Sequence, residues 1–142
     1  MGGRTLALDV GDRWIGVALG DPTGLLATPL TVIERTNETA DISAVVDITQ
    51  RQQVERVIVG LPRSLNGRVG EQAAKVQEFA GKLAARLSVP LEFRDERLST
   101  VSAQRLMHEA GTKKGKRKTR DDDAAAAVIL QGYLDEMRDK SQ

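Results

Sequence analysis

Three acidic places in this chain stand against apolar residues. Asp9 interrupts the run Leu6-Ala7-Leu8-Asp9-Val10, and Asp95 and Glu96 follow Leu91–Arg94 in the stretch FRDERLST. Asp121, Asp122 and Asp123 precede AAAAVILQGYL. An ionised carboxylate withdrawn from water is costly unless a cation or good hydrogen bonds meet it. Carboxylates that converge also repel one another, and a hard divalent cation, Mg2+ or Mn2+, is the neutraliser that prefers oxygen ligands. Paired ions roughly 3.5–4 Å apart activate a water and stabilise the leaving oxygen in phosphodiester hydrolysis. The single His108 and the absence of cysteine do not suit zinc. Each place also has a plainer reading. Asp9 could cap a turn or pair with Arg13, Asp95 and Glu96 could be solvated residues after a strand, and three aspartates favour any helix start through its dipole. Their conjunction is what points to a metal centre.

The elements around them must bring these places together. Thr5–Val10 and Trp14–Leu19 are short apolar runs joined by Gly11-Asp12-Arg13, which reads as a tight hairpin. Ala27–Ile33 adds a third strand, and the first three form an antiparallel meander. Ile42, Val45, Val46 and Thr49 fall at helical spacing. The run Val54–Val59 lacks alternation, as expected for a parallel strand covered on both faces. Gly60 to Gly67 reads as a loop; Val76, Phe79, Ala80, Leu83 and Leu87 mark a helix, and Leu91–Arg94 a fifth strand. Ala103, Leu106, Met107 and Ala110 predict a further helix capped by Ser99 or Thr100. The last helix starts near RDDD, with Ala126, Leu130, Tyr133 and Met137 on one face. The order predicts an α/β fold: a five-stranded mixed sheet, three strands antiparallel and two parallel, with helices on both faces. In such a sheet the carboxyl ends of the parallel strands face one crevice, the usual place for a ligand. If the last helix starts at that rim, carboxylates from three distant segments converge.

A chain of 142 residues, 29% charged and 40% hydrophobic, is of a size for one domain, read here as 1–142. Within it, about 111–120 forms a basic loop and about 138–142 a C-terminal tail. Aromatics at 3% are too few for base stacking to be the main mode of nucleic-acid binding. The absence of cysteine suits a reducing cytoplasm, and no membrane span or signal peptide is legible. A net charge of +1 decides nothing globally, but its distribution does. Lys113, Lys114, Lys116, Arg117, Lys118 and Arg120 crowd into GTKKGKRKTR, directly before the triple aspartate. Such a run is either a solvated loop or an arm for a phosphate backbone, giving salt-sensitive, sequence-independent binding. Arg63 and Asn66 in LPRSLNG, and backbone amides near Gly70 at a helix start, are further candidates for phosphate contacts. Arg97 either pairs with a neighbouring carboxylate or touches the scissile phosphate.

Taken in order, LALDVGDRWIGVALGD, VIVGLPRSLNG, FRDERLSTVSA and AAAAVILQGYL resemble the YqgF/RuvX family of pre-rRNA nucleases and Holliday junction resolvase-like proteins. The resemblance covers Leu6 to about Leu134. It implies a ribonuclease H-like fold, divalent metal at the strand ends and phosphodiester cleavage, with maturation of the 5′ end of 16S rRNA as the role. It assigns catalysis and metal binding to Asp9, Glu96 and Asp122. Where the family often has one aspartate this chain has three, so Asp121 or Asp123 stands as the alternative to Asp122. Many ribonuclease H-like relatives carry the second carboxylate on the strand beside the first, where Gly60 stands here. The site is then rebuilt around Glu96, which leaves room for a weak or conditional activity. The expected partner is a nucleic acid, pre-rRNA before branched DNA, met by a monomer or homodimer. The rival readings are a nucleic-acid-binding factor with a residual metal site and, remotely, an actin-like ATPase, for which the chain is too short to close two lobes.

Overall fold

A computed structural model of the chain describes residues 3–61, 70–95 and 122–140, the side chains of residues 71, 95, 122, 123, 139 and 140 excepted. The first three strands are β1 (Arg4–Val10), β2 (Trp14–Gly20) and β3 (Ala27–Glu34). After them come α1 (Glu38–Arg51), β4 (Val54–Leu61), α2 (Glu71–Arg86), β5 (Leu91–Asp95) and α3 (Asp122–Lys140). The sheet order is β3-β2-β1-β4-β5. β1 pairs antiparallel with β2, as β2 does with β3, while β4 runs parallel to β1 and β5 parallel to β4. The expected five-stranded mixed sheet is therefore the one observed.

β1 shows why no alternation is visible in its sequence. Successive strand residues point to opposite faces, and here both faces are covered. Leu6, Leu8 and Val10 join Ile15, Val17, Val57 and Val59 beneath α1 and α2, against Ile42, Val45, Val76, Phe79 and Leu83. Ala7 belongs to the other core, with Ala18, Ile58 and the α3 residues Ala126, Ile129, Leu130 and Leu134. The small side chains of Ala7, Ala18 and Ala126 suit a close approach of α3 to the sheet. Gln131 fastens this helix to the start of β3: its Oε1 accepts from the Ala27 amide at 2.9 Å and its Nε2 donates to the Leu25 carbonyl at 2.8 Å.

Two boundaries differ from the sequence reading. β4 continues through Gly60 and Leu61, so Gly60 is a strand residue, hydrogen-bonded into the sheet beside β5, and not the start of the loop. Glycine and the following Leu-Pro look like a turn, but parallel pairing to β5 holds both residues extended. At the far end α3 runs on to Lys140, into the segment expected as a tail. The helix expected around Ala103–Ala110 lies outside the described residues. Among the described residues, no helix is long and apolar enough to cross a membrane.

The hairpin turn after β1 is held from outside. The Gly11 amide donates to the Trp14 carbonyl at 2.9 Å, and a Cβ at Gly11 would stand 3.1 Å from that same oxygen. Arg35 reaches across, donating from Nη1 to the Gly11 carbonyl at 2.9 Å and from Nε to Asp41 Oδ2 at 3.1 Å. Its guanidinium lies 4.9 Å from the centroid of the Phe79 ring. Asp41, only 2% exposed, also accepts from the Thr36 amide at 3.1 Å. Removing one partner of a buried pair leaves the other desolvated and uncompensated. Asp41→Ala is therefore expected to destabilise the fold by about 3 kcal/mol. Urea denaturation measures this, and a midpoint like that of the wild type would refute it.

Candidate active site

Asp9 is the next-to-last residue of β1 and half-buried. Its pleat position puts it on the face of Ala7, towards α3, opposite to Leu8 and Val10. It does not stand without an interaction. On β2 its partner is Gly16. On β4 Leu8 pairs with Val59, which brings Gly60 alongside Asp9 one step later. Neither neighbour places a side chain beside the carboxylate. Gly60 pairs in turn with Arg94 of β5. One level of the sheet thus reads Gly16, Asp9, Gly60, Arg94, with Asp9 and Arg94 two strand spacings apart, about 9–10 Å.

The parallel strands β1, β4 and β5 end at the same edge. Leu61 pairs with Asp95 there, and Glu96 is the next residue in the chain. A Cβ at Gly20 would meet Leu134 and Leu130 at 3.5 and 3.8 Å and the Thr5 carbonyl at 3.4 Å, which places the middle of α3 over the start of β1. From Thr5 to Asp9 the strand rises about 13 Å. From Leu130–Leu134 back to Asp122 the helix rises about 12–18 Å. Asp122, the first residue of α3, is therefore about as far from that contact along the helix as Asp9 is along β1. Helix amino ends favour anions through unpaired N–H groups and the dipole, so this terminus tolerates the acid run that opens it.

Of the residues singled out in the sequence, Asp9 is placed in full and Asp122 by its backbone. Glu96, Arg63, Asn66, Arg97 and the basic residues Lys113, Lys114, Lys116, Arg117 and Lys118 lie outside the described residues. Gly70 is the N-cap of α2, and among the described residues no side chain caps that helix by a hydrogen bond. Among the described residues, no group of three or more His, Cys, Asp or Glu side chains could hold a metal ion. The sequence reading passed over Arg94. The available signal was a cation inside the short strand LEFRD, two residues before Glu96.

The arrangement of sheet and helices matches solved nucleases. The structure of Thermus thermophilus RuvC in complex with a Holliday junction substrate superposes with a TM-score of 0.63 at 18% identity, over 95% of each chain. The fowlpox virus Holliday junction resolvase gives 0.54 at 13% identity, over 94% of this chain and 99% of that one. At these identities the likeness is one of fold, and the fold is that of the ribonuclease H-like nucleases. Sequence likeness is much closer. A relative from Roseiflexus sp., named "Putative pre-16S rRNA nuclease", is 44% identical over 136 residues, 96% of each chain. Relatives of the same name from Desulforamulus reducens and Clostridium novyi are 47% and 48% identical over 132 residues. These matches cover 93% of this chain, and 96% and 98% of the respective relatives. A family model described as "RuvX: Holliday junction resolvase" matches residues 3–136. The chain belongs to the RuvX family, and with it to the hydrolases that cut phosphodiester bonds.

Proposed function

We propose that the chain is a divalent-metal-dependent nuclease that trims the 5′ end of pre-16S rRNA in the cytoplasm, working as one domain. The observation that carries this reading is Asp9, set between Gly16 and Gly60 at the edge where β1, β4 and β5 end. The donor chemistry fits a hard cation: carboxylate oxygens, with no cysteine in the chain. Asp9, Glu96 and Asp122 would hold Mg2+ or Mn2+. When bound, such ions supply Lewis acidity, which favours a nucleophilic water and stabilises charge on the leaving oxygen. The residues themselves orient the site: β2 and β4 leave the space beside Asp9 free of neighbouring side chains, and α3 offers its positive dipole end to phosphate. The run from Lys113 to Lys118, with Arg63, Asn66 and Arg97, would hold the phosphate backbone without reading its bases.

The description of the family model favours a second reading, cleavage of four-way DNA junctions. A two-fold junction calls for a two-fold dimer. Incubating the protein with a 5′-extended 16S rRNA fragment and with a four-way junction, in Mg2+, Mn2+ or EDTA, decides between them. Metal-dependent shortening of the RNA is the expected result. Resolution of the junction with the RNA left whole would establish the second reading. Binding of either substrate without cutting, in every metal, would make the protein a nucleic-acid-binding factor.

A further inference from the structure

We propose that Arg94 is a positioning residue: it fixes α3 relative to the end of β5, and so sets the spacing between Asp122 and Glu96. The proposal rests on the reading of those two residues as metal ligands. α3 packs chiefly on β2, β3 and β1. β5 lies at an edge of the sheet, and the long side chain of its Arg94 reaches from there to α3. Arg94 Nη1 donates to Glu136 Oε1 at 2.6 Å, with the Arg94 side chain 16% exposed. The guanidinium lies against α3 where the helix carries Gly132; a Cβ there would stand 3.2 Å from Nη2. Arg94 Nε is buried with no hydrogen-bond partner. A donor left unsatisfied in this way costs stability, so the side chain is held by its ion pair and by the surface the glycine opens.

Ile129, Leu130 and Leu134 pack α3 on Ile58, Ala7 and Ala18, and among the described residues polar ties add a directional hold on both flanks of the helix. Gln131 holds the helix to the β3 side through Ala27 and Leu25, and Arg94 holds Glu136 from the β5 side. The lever is sensitive. Asp122 lies eight residues, or about 12 Å, before Leu130, so a swing of about 5° there moves it by about 1 Å. Metal–ligand distances tolerate only about 0.2 Å. Arg94 stands two residues before Glu96 in the chain, so the same side chain ties together both elements that supply those carboxylates.

Arg94→Met keeps the aliphatic stem and removes the tie. It is expected to raise the Mg2+ concentration for half-maximal cleavage about ten- to a hundredfold, the usual cost of losing a group that orients ligands. Mn2+ binding, followed by electron paramagnetic resonance without substrate, should weaken likewise, and amide exchange in the first turn of α3 should rise. Nucleic-acid affinity in EDTA should not change. Arg94→Lys keeps a cation for Glu136 and should recover most of the loss. Gly132→Ala separates positioning from plain stability: it favours the helix yet crowds the guanidinium, so melting temperature should hold or rise while the Mg2+ requirement still increases. Wild-type Mg2+ dependence and exchange in Arg94→Met would overturn the proposal. So would lowered melting temperatures with an unchanged Mg2+ requirement. A wild type that neither binds Mn2+ nor cuts would strike the metal-nuclease reading instead. Amide exchange in Arg94→Met then judges the tie alone, a rise supporting it and no change overturning it.

Discussion

Asp9→Asn is expected to abolish metal-dependent cleavage while leaving the fold in place. The substitution is isosteric, and the flanking residues on neighbouring strands, Gly16 and Gly60, have no side chains to clash with it. What it removes is a charge that the proposed site sets beside Glu96 and Asp122. Loss of a group that merely orients a ligand costs about 10–100-fold, so loss of a ligand should cost more than about a hundredfold, or about 2.7 kcal/mol in the barrier. Without metal the variant should melt at or above the wild-type temperature, because like charges no longer face each other. Single-turnover cleavage and a thermal melt on the same preparation read both. Retained cleavage would remove Asp9 from the mechanism, and a collapsed melt would make Asp9 a structural residue.

Asp122→Asn should be as damaging as Asp9→Asn, whereas Asp121→Asn should change cleavage little. Asp122 is the first residue of α3 and, in the proposed site, a ligand together with Asp9. Both substitutions remove one negative charge from the same helix start, so their effects on the dipole and on overall electrostatics are nearly alike. A difference in cleavage then reports ligation. Mn2+ binding by the two variants provides the same comparison without substrate. If Asp123→Asn proves the inactive variant, the ligand is shifted one residue into the helix. Equal, mild effects from all three would reduce the run to a favourable helix cap.

The candidate site was read from signals that are local. A lone aspartate in an apolar strand, an acidic pair after another strand and three aspartates before a helix can each be read without knowing what lies beside them. The fold class was legible for the same reason: periodicity and turn residues located the five strands and the helices α1, α2 and α3. Gly60 shows where local reading fails. Glycine followed by leucine and proline resembles a turn, and only hydrogen bonding to β5 makes it strand and sets it next to Asp9. Asp41 was passed over because a charged residue in a helix is ordinarily solvated; its burial depends on Arg35 arriving from the end of β3.

By itself the sequence determined which of the described segments form strands and helices, supplied the carboxylates that are proposed as ligands, and contains no cysteine. Those properties follow from side-chain type and spacing along the chain. Only the tertiary structure decided that Asp9 faces α3, that glycines flank it on both neighbouring strands, and that Arg94 stands at the same level and ties β5 to Glu136. Each of these depends on the register between strands and on the direction in which a helix crosses the sheet. Both are set by contacts between residues dozens of positions apart, as with Asp9 and Gly60 or Arg94 and Glu136, and no local pattern encodes them.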